Sequence, residues 1–172
     1  MRAILSTLAA AAMILASLAG WHTPAAAQSR TVEQLEAAII FKILKFVDLP
    51  KGGAEPFIFC VESGAASAPA LLSLRGQRVR DHRLGMRLIR NRDFAGCDIV
   101  YLERADAAVI QNARSPGRLV MGRGTRFIDA NGTIGLVQTG NQIRFEVNLE
   151  EADRAGLKIS SRLVRLAARV ER

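Results

Sequence analysis

Histidine and cysteine do much of the catalysis and metal binding in proteins, and this chain has few of either. Beyond the N-terminal apolar segment, His82 is the only histidine, and Cys60 and Cys97 are the only cysteines. A metal site needs several such ligands at one point. A catalytic triad would have to use His82 with Asp81 beside it in the chain, and no G-x-S-x-G motif is present. We therefore expect no catalytic residue, no metal and no cofactor, and we place His82 in an exposed loop.

Arginine is the other residue type that could bind a ligand. The chain has 24 Lys and Arg residues against 16 Asp and Glu, a formal net charge of +8. Residues 122–126 combine two glycines with two arginines, which could form an anion-binding loop or simply a flexible loop after a strand. Four arginines are spaced to share one face of a C-terminal helix: Arg162, Arg165, Arg169 and Arg172. That face is either solvated or attracts an acidic partner or a membrane surface.

The N-terminus has the pattern of a secretory signal. Arg2 precedes a long apolar run, and Ala25–Ala27 offers a cleavage site. We predict a signal peptide over residues 1–27, the alternative being an uncleaved membrane anchor. Export disfavours nucleic acid as a partner, and so does the shortage of aromatic residues for stacking on bases.

The two cysteines are expected to form a disulfide. An exported pair in an oxidising compartment most simply forms one bond. Cys60 lies in the apolar run 57–61 and Cys97 directly precedes the run 98–102, so neighbouring strands would bring them within bonding reach. The alternative is a reactive thiol or a redox switch, which the lack of a flanking histidine disfavours.

Residues 31–47 have the pattern of an amphipathic helix. Thr31 and Gln34 match a capping box at its start. An apolar stripe follows at helical spacing: Val32, Leu35, Ile39, Ile43 and Phe46. Phe41 and Leu44 lie beside this stripe. Either the whole helix packs into the core, or a second apolar face around Phe41 and Leu44 serves dimerisation or partner binding.

Strand and helix patterns alternate through the first two thirds of the chain. Alternation of this kind predicts a parallel sheet with crossover helices. Residues 133–137 and 142–147 flank a short turn, which predicts an antiparallel hairpin. We predict a single α/β domain over residues 28–172, with a mixed, mostly parallel sheet, a late antiparallel hairpin and flanking helices.

Three blocks carry a resemblance to a known family. The most specific is 143–167, where an alternating strand leads into a helical segment containing Ala155-Gly156-Leu157 and Ser160-Ser161. With the blocks 38–50 and 96–102, it resembles the YfiR-like family of small periplasmic proteins. The chain has Leu49 where many relatives have an aromatic residue, and it lacks the second cysteine pair of better-known members.

The resemblance implies a periplasmic protein that binds the periplasmic sensor part of an inner-membrane signalling protein and holds it inactive. A diguanylate cyclase, which makes cyclic-di-GMP, is the first partner type, and a histidine kinase is the second. We expect Phe41 and Leu44 to supply apolar anchors, and Arg162, Arg165 and Arg169 to speed encounter. The alternative function is a sensor that binds a small ligand at the carboxyl ends of the parallel strands. An enzyme is the third hypothesis.

Overall fold

The computed structural model describes residues 31–53, 55–140 and 142–172. The predicted signal peptide, residues 1–27, lies outside these ranges, so its cleavage stays a prediction. Among the helices of the described ranges, none combines the length and the apolar composition needed to cross a membrane.

Helices and strands alternate along the described chain. Their order is α1 (Val32–Leu44), β1 (Val47–Asp48), β2 (Phe57–Glu62), α2 (Ala68–Leu72), β3 (Arg78–Val79), β4 (His82–Ile89), β5 (Ile99–Leu102), α3 (Ala107–Ala113), β6 (Leu119–Arg123), β7 (Ile134–Thr139), β8 (Gln142–Asn148), α4 (Leu149–Arg154), β9 (Lys158–Ile159), α5 (Ser161–Leu166) and β10 (Arg169–Glu171).

Eight of the strands form one mixed sheet in the order β10-β8-β7-β6-β5-β2-β4-β3. The five central strands from β7 to β4 run parallel, and β7 and β8 form the antiparallel hairpin. A separate antiparallel pair, β1 with β9, ties the end of α1 to the C-terminal segment. The predicted fold class is therefore confirmed.

The order of the central strands creates a switch in direction beside β2. The chain passes from β2 through α2 to β4 on one side of β2, and then returns to β5 on the other side. The loops that follow β2 and β5 consequently leave toward opposite faces of the sheet. Such a topological switch point opens a crevice at the carboxyl ends of the strands.

The sheet is covered on both faces, so its central strands are apolar on both sides. Successive side chains of a strand point to opposite faces. On β2, Phe57 and Phe59 join the core beneath α1, while Cys60 joins the core beneath α3. Continuous apolar runs are what parallel strands buried on both faces require.

The first helix begins as predicted, but it is rotated relative to the expected stripe. Thr31 and Gln34 form the reciprocal capping box. The buried side carries Ile40, Ile43 and Leu44, whereas Val32 is 41 % exposed. The prediction that Val32 belongs to the buried stripe was wrong, because the sequence offers two overlapping apolar faces and packing on the sheet selects between them.

Candidate functional site

A disulfide joins Cys60 on β2 to Cys97, just before β5. The two strands are parallel neighbours, with Phe59 opposite Ile99. Both cysteines are buried in the α3-side core, at 0 % and 5 % exposure. A bond enclosed in this way holds the two central strands together and leaves no exposed thiol among the described residues.

The two expected anchors on α1 have different environments. Leu44 is fully buried at 0 % exposure, so its expected place on a partner-binding surface is wrong. Phe41 is half-buried against the α1-side core, and the Lys45 Nζ lies 4.4 Å from the centre of its ring. Of the pair, Phe41 alone keeps a face toward solvent.

The expected arginine face is interrupted by a strand. Helix α5 ends at Leu166 because the amide of Ala168 donates to the carbonyl of Phe145, 2.8 Å away, and the chain then joins the sheet as β10. Arg169 therefore lies on β10, where it pairs with Asp129 at 2.6 Å and Glu146 at 3.0 Å. The prediction that it shares a helix face with the other arginines was wrong.

Arg162 and Arg165 do lie exposed on α5. Leu163 of this helix is buried, whereas Leu166 is 67 % exposed. The short helix thus presents two free cations and an apolar side chain to solvent.

The end of α1 and the start of α5 are neighbours. Val47 on β1 pairs with Ile159 on β9, and the amide of Ser160 donates to the carbonyl of Phe46 at 2.9 Å. We give the name α1–α5 surface to five side chains that are at least partly exposed on α1, on the turn that follows it and on α5: Phe41, Phe46, Arg162, Arg165 and Leu166. It combines half-buried aromatic rings with exposed arginines and an exposed leucine.

His82 is buried, and its expected position in an exposed loop was wrong. It begins β4 and is 8 % exposed. Its Nδ1 donates to the carbonyl oxygen of Glu55 at 2.7 Å, and its ring packs on Phe57 with centroids 4.1 Å apart. These contacts pack the His82 ring against β2 and attach it to the segment that precedes β2.

A buried charge network that sequence reasoning missed lies between α1 and the carboxyl ends of β5 and β6. Glu36 on α1 is 1 % exposed and accepts hydrogen bonds from Tyr101 and from the Arg123 guanidinium. Burial and the Glu36 carboxylate raise the pKa of Tyr101, so its hydroxyl stays protonated and donates. Hydrogen bonding to Glu36 likewise raises the pKa of Arg123.

A second buried carboxylate completes this network. Glu103 follows β5 and lies 3.4 Å from the Arg123 guanidinium. Its other oxygen accepts from the amide of Ser67 at 3.3 Å. The sequence did contain a signal for the network, because Glu36 lies four and seven positions before Ile40 and Ile43, on the same helix face. A carboxylate at such a core position requires a partner.

The glycine–arginine segment 122–126 does not form one continuous loop. Gly122 and Arg123 belong to β6, and the cation of Arg123 is held by the two glutamates. Gly122 is needed for packing, since an added Cβ would lie 2.1 Å from Cε2 of Phe127. Across the three described ranges, no group of three His, Cys, Asp or Glu residues is arranged to hold a metal ion.

Comparisons with known proteins show the fold and the family. The structure is similar to a conserved domain protein from Vibrio cholerae O1 biovar eltor, with a TM-score of 0.51, 14 % identity, and coverage of 82 % of this chain and 60 % of that one. It is also similar to an ABC domain in complex with L-Trp from Streptococcus pneumoniae, with a TM-score of 0.50, 9 % identity, and coverage of 80 % and 61 %. The chain thus spans less than two thirds of either structure. A search of curated proteins found no match.

The family model described as YfiR/HmsC-like (DUF4154) matches residues 33–168, which include all the helices described above apart from the first residue of α1, and all the strands apart from β10. The match agrees with the resemblance carried by the three sequence blocks, and the chain belongs to the YfiR/HmsC-like family.

Proposed function

We propose that this protein is a periplasmic regulator that binds the periplasmic sensor part of an inner-membrane signalling protein and lowers its output. Its membership of a regulatory, periplasmic family carries the proposal. A diguanylate cyclase is the first partner type, and a histidine kinase is the second. The absence of any assembled nucleophile and base around His82 in the described chain fits a binding role.

The α1–α5 surface supports the proposal as the place of contact. Phe41 and Phe46 are half-buried aromatic residues, and Leu166 is the most exposed large apolar side chain of the described residues. Aromatic and apolar anchors supply most of the affinity at protein interfaces. Because Leu44 is enclosed in the core, we assign the apolar contact with the partner to Phe41, Phe46 and Leu166.

Charge supports an acidic partner face. Arg162 and Arg165 lie on the same short helix as Leu166 and make no ion pair with any described residue. The chain as a whole is strongly basic, with a formal net charge of +8. Exposed charges of this kind mainly speed encounter and make association sensitive to salt.

The deletion experiment tests the function itself. Removing the gene should raise the output of the partner, measured as intracellular cyclic-di-GMP for a cyclase. Crosslinking in intact cells should capture an inner-membrane protein that carries a periplasmic domain. An unchanged signal together with no captured envelope protein would contradict the proposal.

The kinetics of binding to the partner test whether the α1–α5 surface is the place of contact. Arg162→Glu with Arg165→Glu should slow association at least about tenfold while changing dissociation little. The matched control is Arg78→Glu with Arg126→Glu, two exposed arginines on other elements with the same change in charge. If both pairs of substitutions slow association equally, the effect comes from net charge, and the α1–α5 surface is not the place of contact. Leu166→Ala should instead speed dissociation, because it removes an apolar contact.

A further inference from the structure

A cleft of about 620 Å³ opens at the carboxyl ends of β2, β4 and β5. The segments that follow these strands form its walls, namely residues 62–66, 89–92 and 103–104. This is the crevice of the topological switch point, where the loops after β2 and β5 diverge. Its volume falls within the range of about 300–1,000 Å³ that is usual for small-molecule sites.

The side chains that line the cleft carry an excess of positive charge. Arg90, Arg92 and Arg104 line it, are exposed, and make no ion pair within the described ranges. Glu103 also lines it, but its charge is already offset by Arg123 and its carboxylate accepts from Ser67.

Glu62 is the remaining carboxylate of the lining. It is half-buried, and burial raises its pKa despite the neighbouring Arg92. The three arginines therefore outnumber the two carboxylates that line the cleft, Glu62 and Glu103.

The turn after β4 is held in an unfavourable backbone conformation. Asn91 and Arg92 are consecutive non-glycine residues with φ of 52° and 57°. A left-handed conformation costs an L-residue of the ordinary kind roughly 1–2 kcal/mol. Backbone strain of this kind concentrates at ligand clamps and active sites, and here it lies in the turn that contains Arg92 and directly follows Arg90.

We propose that this cleft binds a small organic anion, whose carboxylate or phosphoryl group is held by Arg90, Arg92 and Arg104. Guanidinium groups bind both kinds of oxyanion through paired, charge-assisted hydrogen bonds. The side chains of Ala65, Ala66 and Ile89 provide an apolar wall for the carbon skeleton. The site goes beyond partner binding, because its residues are separate from those of the α1–α5 surface.

Amide NMR titrations with citrate and with inorganic phosphate test the site in the purified exported protein. Citrate, phosphate or both should change the amide chemical shifts of Gly64 and Arg104, and the change should saturate as the concentration of the probe rises. Saturation by citrate alone identifies a carboxylate ligand, and saturation by phosphate alone identifies a phosphoryl ligand.

Matched variants separate a specific site from general attraction to a basic protein. Arg90→Ala with Arg104→Ala should weaken binding at least about tenfold. Arg162→Ala with Arg165→Ala removes the same charge from α5 and should leave affinity unchanged. Glu62→Gln removes a negative charge from the lining and should tighten binding, which provides a gain of affinity to measure. No saturation by either probe, or equal weakening by the two arginine pairs, would overturn the proposal.

Discussion

Removal of the disulfide should destabilise the fold substantially, because the bond joins distant parts of the chain. The perturbation is Cys60→Ala with Cys97→Ala. The two residues are separated by 37 positions. Cross-linking a loop of this length removes entropy from the unfolded chain worth about 4 kcal/mol at 25 °C. For a domain of this size, such a loss corresponds to a fall in melting temperature of roughly 10–15 °C.

Calorimetry with and without reductant provides the assay. Dithiothreitol should lower the melting temperature of the wild type to that of the double variant, and it should leave the variant unchanged. The denatured wild type should show no titratable thiol. Two free thiols in protein isolated from the periplasm, or equal melting temperatures for wild type and variant, would refute the reasoning.

Three further predictions concern buried and half-buried side chains. Arg123→Met leaves Glu36 and a second buried carboxylate without a cation, and it should cost about 3 kcal/mol in denaturant unfolding. The exposed control Arg126→Met should stay within about 0.5 kcal/mol, and an equal effect of both would argue against the network. Leu44→Ala should lower the free energy of unfolding by about 2–5 kcal/mol, because it leaves a cavity in the core. A loss below about 1 kcal/mol would contradict the burial of Leu44. Burial raises the pKa of Glu62 in the folded state, so its contribution to stability is complete below pH 4.5 and is lost as the pH rises through the folded pKa. Glu62→Gln should flatten that part of the stability–pH curve. An unchanged slope would show that this pH dependence does not come from Glu62.

Much of the secondary structure could be predicted from local pattern. The capping box at Thr31 and Gln34 begins α1 as expected, and the hairpin of β7 and β8 forms around the predicted turn. The apolar runs around Cys60 and Cys97 became parallel neighbours joined by the expected bond. These features depend on residues close together in the chain or on strongly apolar strands, where the local preference and the final environment agree.

The wrong predictions concern either the exposure of a side chain or the element to which a residue belongs. Leu44 was expected on a partner-binding surface and His82 in an exposed loop, and both are buried. A helix with two overlapping apolar faces, or a helix of only six residues, leaves this choice to its neighbours. Arg169 was expected on a helix but lies on a strand, because β10 pairs with the edge of β8.

The fold class, the family and the cysteine pair follow from the sequence alone, because each depends on periodicity, composition or motifs within short blocks. The charge network and the cleft arise only when the chain has folded. Glu36 meets Tyr101 and Arg123 across 65 and 87 positions of the chain. The cleft exists because three separate strands end at the same edge of the sheet. Contacts over such distances depend on the order and register of the strands, and no local pattern in the chain specifies those.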